Sequence, residues 1–171
     1  TVLEEANEFL KRLEGNKTNM PLFTSCCPAW VQYCERNYPE LLSNVSTCRS
    51  PMQMFASVIH EQHKTSPRRH YHVAVMPCTA KKFEAAREEF ALDGKNPVDA
   101  VITTQELIQM IKESGIIFSE VEPEAVDMPF GTATGAGVIF GVTGGVTEAV
   151  LRRISSDKSK TALAAIPYRG I

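Results

Sequence analysis

Apolar residues first recur at helical spacing in Leu3, Ala6, Leu10 and Leu13, with Glu4, Glu5, Glu8, Lys11 and Arg12 on the other faces. This pattern predicts an opening helix that ends near Gly15-Asn16. Pro28 suits the first turn of a second helix through Trp30, Val31 and Cys34, which must stop before Pro39. Ser50-Pro51 caps and starts a third, with Met52, Phe55 and Ile59 on one side. The period then shortens. His72 to Met76 reads as an apolar strand followed by a helix from Lys81 to Phe90, and Ala100 to Thr103 reads as a second strand. Thr104 is expected to cap a helix from Gln105 to Ser114, and Gly115 to stop it.

The segment from Gly135 to Gly141 is rich in glycine and apolar, and Gly144-Gly145 precedes a helix through Leu151. Ser155 to Lys160 reads as a linker and Ala162 to Ile166 as a further strand. Strands alternating with helices predict an α/β layered domain with a largely parallel sheet and flanking helices. The chain has no internal repeat.

A length of 171 residues fits one domain, and 43% hydrophobic with 22% charged residues is ordinary for a globular protein. A net charge of −2 gives no nucleic-acid footprint. No apolar run reaches the roughly 20 residues that span a bilayer. Five cysteines make an odd count, with no C-x-x-C pair, so thiols acting as ligands, reactive groups or small buried hydrophobes fit better than a disulfide framework.

Two stretches carry the chemistry. Thr24-Ser25-Cys26-Cys27-Pro28-Ala29-Trp30 places two adjacent thiols at a helix N-terminus, where the thiolate is favoured. Adjacent side chains diverge, so the two can serve different partners. Met76-Pro77-Cys78-Thr79-Ala80-Lys81-Lys82-Phe83-Glu84 sets a third thiol just beyond a strand, with a lysine and a glutamate at successive three-residue steps. Each has an ordinary alternative: a pair of packed cysteines, and a solvated ion pair. Cys34, inside a helix, and Cys48, in a polar run, are candidate extra ligands by count alone but read better as packing and loop residues. His60 with His63, and His70 with His72, have spacings that could hold zinc but lack a carboxylate or thiol to complete a tetrahedron.

Taken as units, T-S-C-C-P-x-W and M-P-C-x-x-K-x-x-E resemble the first two signature motifs of the FeFe hydrogenases. The likeness extends to Ser50-Pro51, to Val101-Ile102-Thr103-Thr104-x-Glu106-Leu107, and through Gly135 to Gly145. It implies the N-terminal part of the catalytic H-cluster domain, one lobe of two, filling residues 1–171. The implied activity is the reversible oxidation of hydrogen to protons and electrons. The implied cofactor is the H-cluster, a 4Fe-4S cubane linked to a di-iron site with CO, CN and a bridging dithiolate.

By that resemblance Cys27 and Cys78 are cubane ligands, Cys26 passes protons, and Lys81 hydrogen-bonds a cyanide ligand. Ser46, Glu8 and Glu5 align with the proton relay and Arg12 with its outer end, although Glu5, Glu8 and Arg12 are also what any exposed helix face shows. Met76, Pro77, Phe140 and Gly141 align with the cavity wall. Met52 stands where many relatives carry glutamine.

The family's third motif, with two further cluster cysteines, is not in this sequence, nor is a ferredoxin-like C-x₂-C-x₂-C run. The expectation is therefore a chain incomplete for activity alone. Its partners would be ferredoxin or another electron carrier, a C-terminal lobe or second subunit, and maturation proteins, with no nucleic acid and no membrane. Further iron–sulfur clusters would lie outside this chain. The cytoplasm is the expected compartment, an anaerobic organelle or the periplasm being alternatives. Two rival readings stand beside this one. The first is a non-catalytic hydrogenase-like iron–sulfur protein in cluster delivery or hydrogen sensing. The second is an oxidoreductase with Cys26 as nucleophile, which would need a base beside the thiol.

Overall fold

The computed structural model describes residues 1–15, 19–127, 130–131, 135–140, 142 and 144–155. The expected linker beyond Ser155, the strand at Ala162–Ile166, and Gly141 lie outside these residues. The chain divides into two compact units. Of the described residues, unit 1 takes those within 1–26, 33–48 and 130–155, and unit 2 takes 27–32 and 49–127, so a boundary falls between Cys26 and Cys27.

Unit 1 is helical. Helix α1 (Val2–Glu14) packs against α7 (Gly145–Ile154). Of the apolar stripe read along α1, Ala6 is buried but Leu3, Leu10 and Leu13 are exposed, and the polar Glu5 is buried beside Ala6. Helix α2 (Pro28–Asn37) runs from unit 2 into unit 1. Within unit 1 its Cys34 is fully buried, and the thiol donates to the Tyr38 carbonyl at 3.5 Å, as a packed cysteine does. A parallel bridge between Phe23 and Val45 fastens the loops that carry Ser25 and Ser46.

The first part of the glycine-rich run forms a short helix, α6 (Gly135–Ile139). Gly144, at φ 75°, turns the chain into α7 in a left-handed conformation that favours glycine. At Gly145 a Cβ would stand 1.9 Å from the Ile139 carbonyl oxygen, so only glycine lets the two backbones approach.

Unit 2 is α/β. Strands β1 (Val73–Met76) and β2 (Ala100–Thr103) pair in parallel with Val73 opposite Ala100. Their crossover contains α4 (Ala80–Ala85), shorter than expected because a separate 3-10 turn takes Glu88–Phe90. Helix α3 (Pro51–His63) starts as read, with Ser50 Oγ accepting from the Gln53 N–H at 3.3 Å. Its buried face is Met52, Gln53 and Ala56, while Phe55 is exposed. Met52 and Ala56 join Ala85 and Val98 in the core, with Ala74, Met76 and Val101 against it. Helix α5 (Thr104–Glu113) is capped by Thr103, one residue earlier than expected. Thr103 Oγ1 accepts from the Glu106 N–H at 3.1 Å, and Glu106 Oε2 accepts from the Thr103 N–H at 2.7 Å, a reciprocal capping box.

Candidate functional site

In unit 1, the i, i+3 spacing on α1 sets Glu5 and Glu8 on the face that meets the 45–48 loop. Glu8 collects donors. Ser46 Oγ donates to its Oε2 at 3.0 Å, Thr47 Oγ1 at 2.9 Å and the Thr47 N–H at 3.0 Å. The Cys48 thiol approaches the same oxygen at 3.6 Å. Arg12 closes the other side at 2.5 Å from Oε1, its guanidinium held in place by the carbonyls of Asn19, Ser43 and Val45. Burial opposes ionisation of Glu8, but the Thr47, Ser46 and Arg12 donors outweigh it and hold its carboxyl below the usual range.

Glu5 has the opposite bias. It is 2% exposed, and its Oε1 is buried without a hydrogen-bond partner. Burial pushes its pKa up, against the pull of the Ser46 and Cys48 side chains, and the Glu8 charge adds to the rise. One helix face therefore offers two carboxyls biased in opposite directions, with a hydroxyl and a thiol beside them.

In unit 2, Cys27 directly precedes α2 and its carbonyl accepts from the Val31 N–H at 3.0 Å. Cys78 follows β1, and its carbonyl accepts from the Lys81 N–H at 3.3 Å. Both thiols are exposed. Lys81 turns inward to Glu84, with Nζ 2.6 Å from Oε2 and side chains 14% and 4% exposed. This is a sheltered ion pair, not the solvated one that the spacing alone suggests.

The donor chemistry fits part of an iron–sulfur centre. Cys27 and Cys78 offer two thiols where a cubane takes four. Among the described residues no three His, Cys, Asp or Glu side chains converge as a metal site.

Met76 is half-buried against the unit 2 core, Pro77 is exposed, Phe140 is half-buried in unit 1, and Gly141 lies outside the described residues. Cys26 is half-buried in unit 1. The histidines have local partners: His60 Nε2 meets Asp93 Oδ2 at 3.2 Å, His63 stacks on His70 with ring centroids 4.0 Å apart, and His72 Nδ1 lies 2.8 Å from the Pro97 carbonyl oxygen. Sequence reasoning missed Thr47 and read Cys48 as a loop residue. The available signal was that the two continue the chain from Ser46.

Comparison with known proteins bears on the family and the fold. The family description "Iron only hydrogenase large subunit, C-terminal domain" matches residues 1–171. Iron hydrogenase 1 of Clostridium pasteurianum is 44% identical over 100% of this chain and 30% of its own length. The periplasmic Fe hydrogenase large subunit of Nitratidesulfovibrio vulgaris is 47% identical over 89% of this chain and 37% of its own. Cytosolic iron-sulfur assembly component 3 of Bos taurus is 34% identical over 99% of this chain and 38% of its own.

An apo FeFe-hydrogenase HydA1 from Chlamydomonas reinhardtii superposes with a TM-score of 0.72 at 41% identity, covering 88% of this chain and 39% of that one. The chain thus spans about a third of the length of these relatives. No helix among the described residues is long and apolar enough to cross a membrane. On the full-length family match and these identities, the chain belongs to the iron-only hydrogenase large-subunit family.

Proposed function

We propose that this chain is the first part of the H-cluster domain of an FeFe hydrogenase, which interconverts hydrogen with protons and electrons. The observation that carries the reading is the hydrogen-bonded series on α1 and the 45–48 loop. Ser46 joins Glu8 at 3.0 Å and Glu8 joins Arg12 at 2.5 Å. A protein that only carries a cluster has no need of graded proton acceptors, whereas a hydrogenase must move a proton in every turnover.

When bound, the H-cluster, a 4Fe-4S cubane joined to a di-iron site with CO, CN and a bridging dithiolate, supplies the making and breaking of hydrogen. Cys27 and Cys78 would hold the cubane as thiolates. The remaining two thiolates would come from a C-terminal lobe or a second subunit. Lys81, fixed by Glu84, would present an ammonium to an anionic ligand of the group. Met76, Pro77, Phe140 and Gly141 would wall off water. Cys26 would exchange a proton with Glu5, whose unpartnered Oε1 is an acceptor or donor in want of a neighbour. Ser46 would pass the proton to Glu8, and Arg12 would mark the exit. A ferredoxin-type carrier would exchange the electrons, maturation proteins would install the group, and the cytoplasm would be the working compartment.

A second reading, cluster delivery without turnover, is supported by the likeness to the bovine assembly component. Cys26 beside Cys27 and the anchored Lys81 favour turnover. The deciding experiment is hydrogen evolution by the complete protein, co-expressed with maturation proteins and given reduced ferredoxin. Turnover supports the hydrogenase. A protein fully loaded with iron that transfers a cluster to an acceptor but evolves no hydrogen would establish the second reading.

A further inference from the structure

Cys48, like Cys34, is a thiol for which the family reading has no task. Its Sγ lies 3.6 Å from Glu8 Oε2, and its side chain also interacts with the Glu5 carboxyl. Ser46 makes the same two contacts. The Cys48 N–H donates to Ser46 Oγ at 3.1 Å, and the Cys48 carbonyl accepts from Ser25 Oγ, so the backbone holds thiol and hydroxyl side by side. Two proton-bearing side chains thus bridge one pair of carboxyls.

A merely packed cysteine, like Cys34, is enclosed with a single carbonyl for company. Cys48 instead meets Glu8 Oε2 at 3.6 Å and pulls on the Glu5 carboxyl as well. From this geometry we propose that Cys48 is a second proton carrier between Glu5 and Glu8, working in parallel with Ser46.

In the step, the Cys48 S–H bond breaks as its proton passes to Glu8 Oε2. The Glu5 carboxyl O–H breaks in the same event, and its proton re-forms the S–H bond. Glu5 ends as carboxylate and Glu8 as carboxylic acid, Cys48 is a thiol before and after, and no electrons move. Concertedness is required, because burial and the two neighbouring acids push the Cys48 pKa up to about 11 and a free thiolate is not formed. The parallel arrangement means that losing one carrier slows the transfer without stopping it.

The inference rests on the hydrogenase reading, and its test has two arms. In the complete, matured enzyme, Ser46→Ala should keep about a tenth of the turnover and Cys48→Ala about half. The double variant should fall about ten-fold or more below Ser46→Ala, within the range a positioned proton-transfer group contributes. Cys48→Val, which fills the space without a proton, should behave as Cys48→Ala, and Cys48→Ser should restore turnover. A double variant equal to Ser46→Ala, a Ser46→Ala enzyme with no turnover, or rescue by valine overturns the proposal.

The second arm needs no turnover. The infrared S–H band of Cys48, identified by its loss in Cys48→Ala, should shift in both Glu5→Gln and Glu8→Gln. A band that stays put in either variant overturns the bridging geometry itself. If wild-type enzyme evolves no hydrogen yet the band shifts in both variants, the hydrogenase reading fails while the bridging thiol stands and proton carriage in turnover is overturned.

Discussion

The Lys81 ammonium lies 2.6 Å from the Glu84 carboxylate, and both side chains are almost wholly shielded from water. Removing one partner leaves the other charge sheltered and without this ion pair, whereas removing both does not. Glu84→Ala should therefore lower the unfolding free energy by about 3 kcal/mol. The Lys81→Met, Glu84→Leu double variant should recover at least half of that loss. Urea denaturation of the three proteins measures both values.

Cys27→Ser and Cys78→Ser should each leave the complete protein deficient in cubane iron, since each deletes one thiolate from a set of four. Iron and sulfide analysis after reconstitution, with the electron paramagnetic resonance signal, reads the outcome. Full occupancy in either variant would strike that residue from the ligand set.

Cys26→Ala removes a thiol that is no ligand in the proposed arrangement. Iron content should match wild type while hydrogen evolution falls at least about 100-fold. Near-normal evolution would end its place in the relay.

Glu5 has a pKa raised above its ordinary value of 4.5. The folded state therefore holds this proton more tightly than the unfolded chain, and stability falls as pH rises from about 4.5 through the folded-state value. Glu5→Gln, which cannot ionise, should unfold at a higher temperature than wild type at pH 7, and the gap should close below pH 4.5. Thermal melts across that window check the sign, and a gap of constant size would show that Glu5 is not the titrating group.

Gly145→Ala should cost about 2 kcal/mol, because its Cβ would meet the Ile139 carbonyl oxygen at 1.9 Å and the backbone must shift. A circular-dichroism melt of the variant is enough. An unchanged midpoint would mean that the α6–α7 turn opens freely.

Local signals proved legible. Pro28, Ser50-Pro51 and the two apolar runs located α2, α3 and the parallel strands, because proline, caps and alternation act within a few residues. Which face of a helix is buried was not legible. Leu3 and Leu13 promised an apolar seam on α1, yet the loop around Ser46 draws Glu5 inward, a contact 41 residues away in sequence that no helical period announces. The same distance hid Cys48, whose partner Glu8 lies 40 residues earlier. The cap of α5 was misplaced by one residue because Thr103 and Thr104 are equally good candidates until the Glu106 side chain chooses between them.

The exposure of Cys27 and Cys78 also orders events in time. The unit 2 interior closes on Met52, Ala56, Ala85 and Val98 without enlisting either thiol. In the proposed arrangement metal is thus no nucleus for the folding of this unit, in contrast to a zinc finger, which is unfolded without its ion. A finished protein can stand with two sulfurs at its surface and receive its inorganic cargo afterwards, from outside. Until then those sulfurs are open to any oxidant in the surroundings, and for such a protein the interval between synthesis and loading is the vulnerable one.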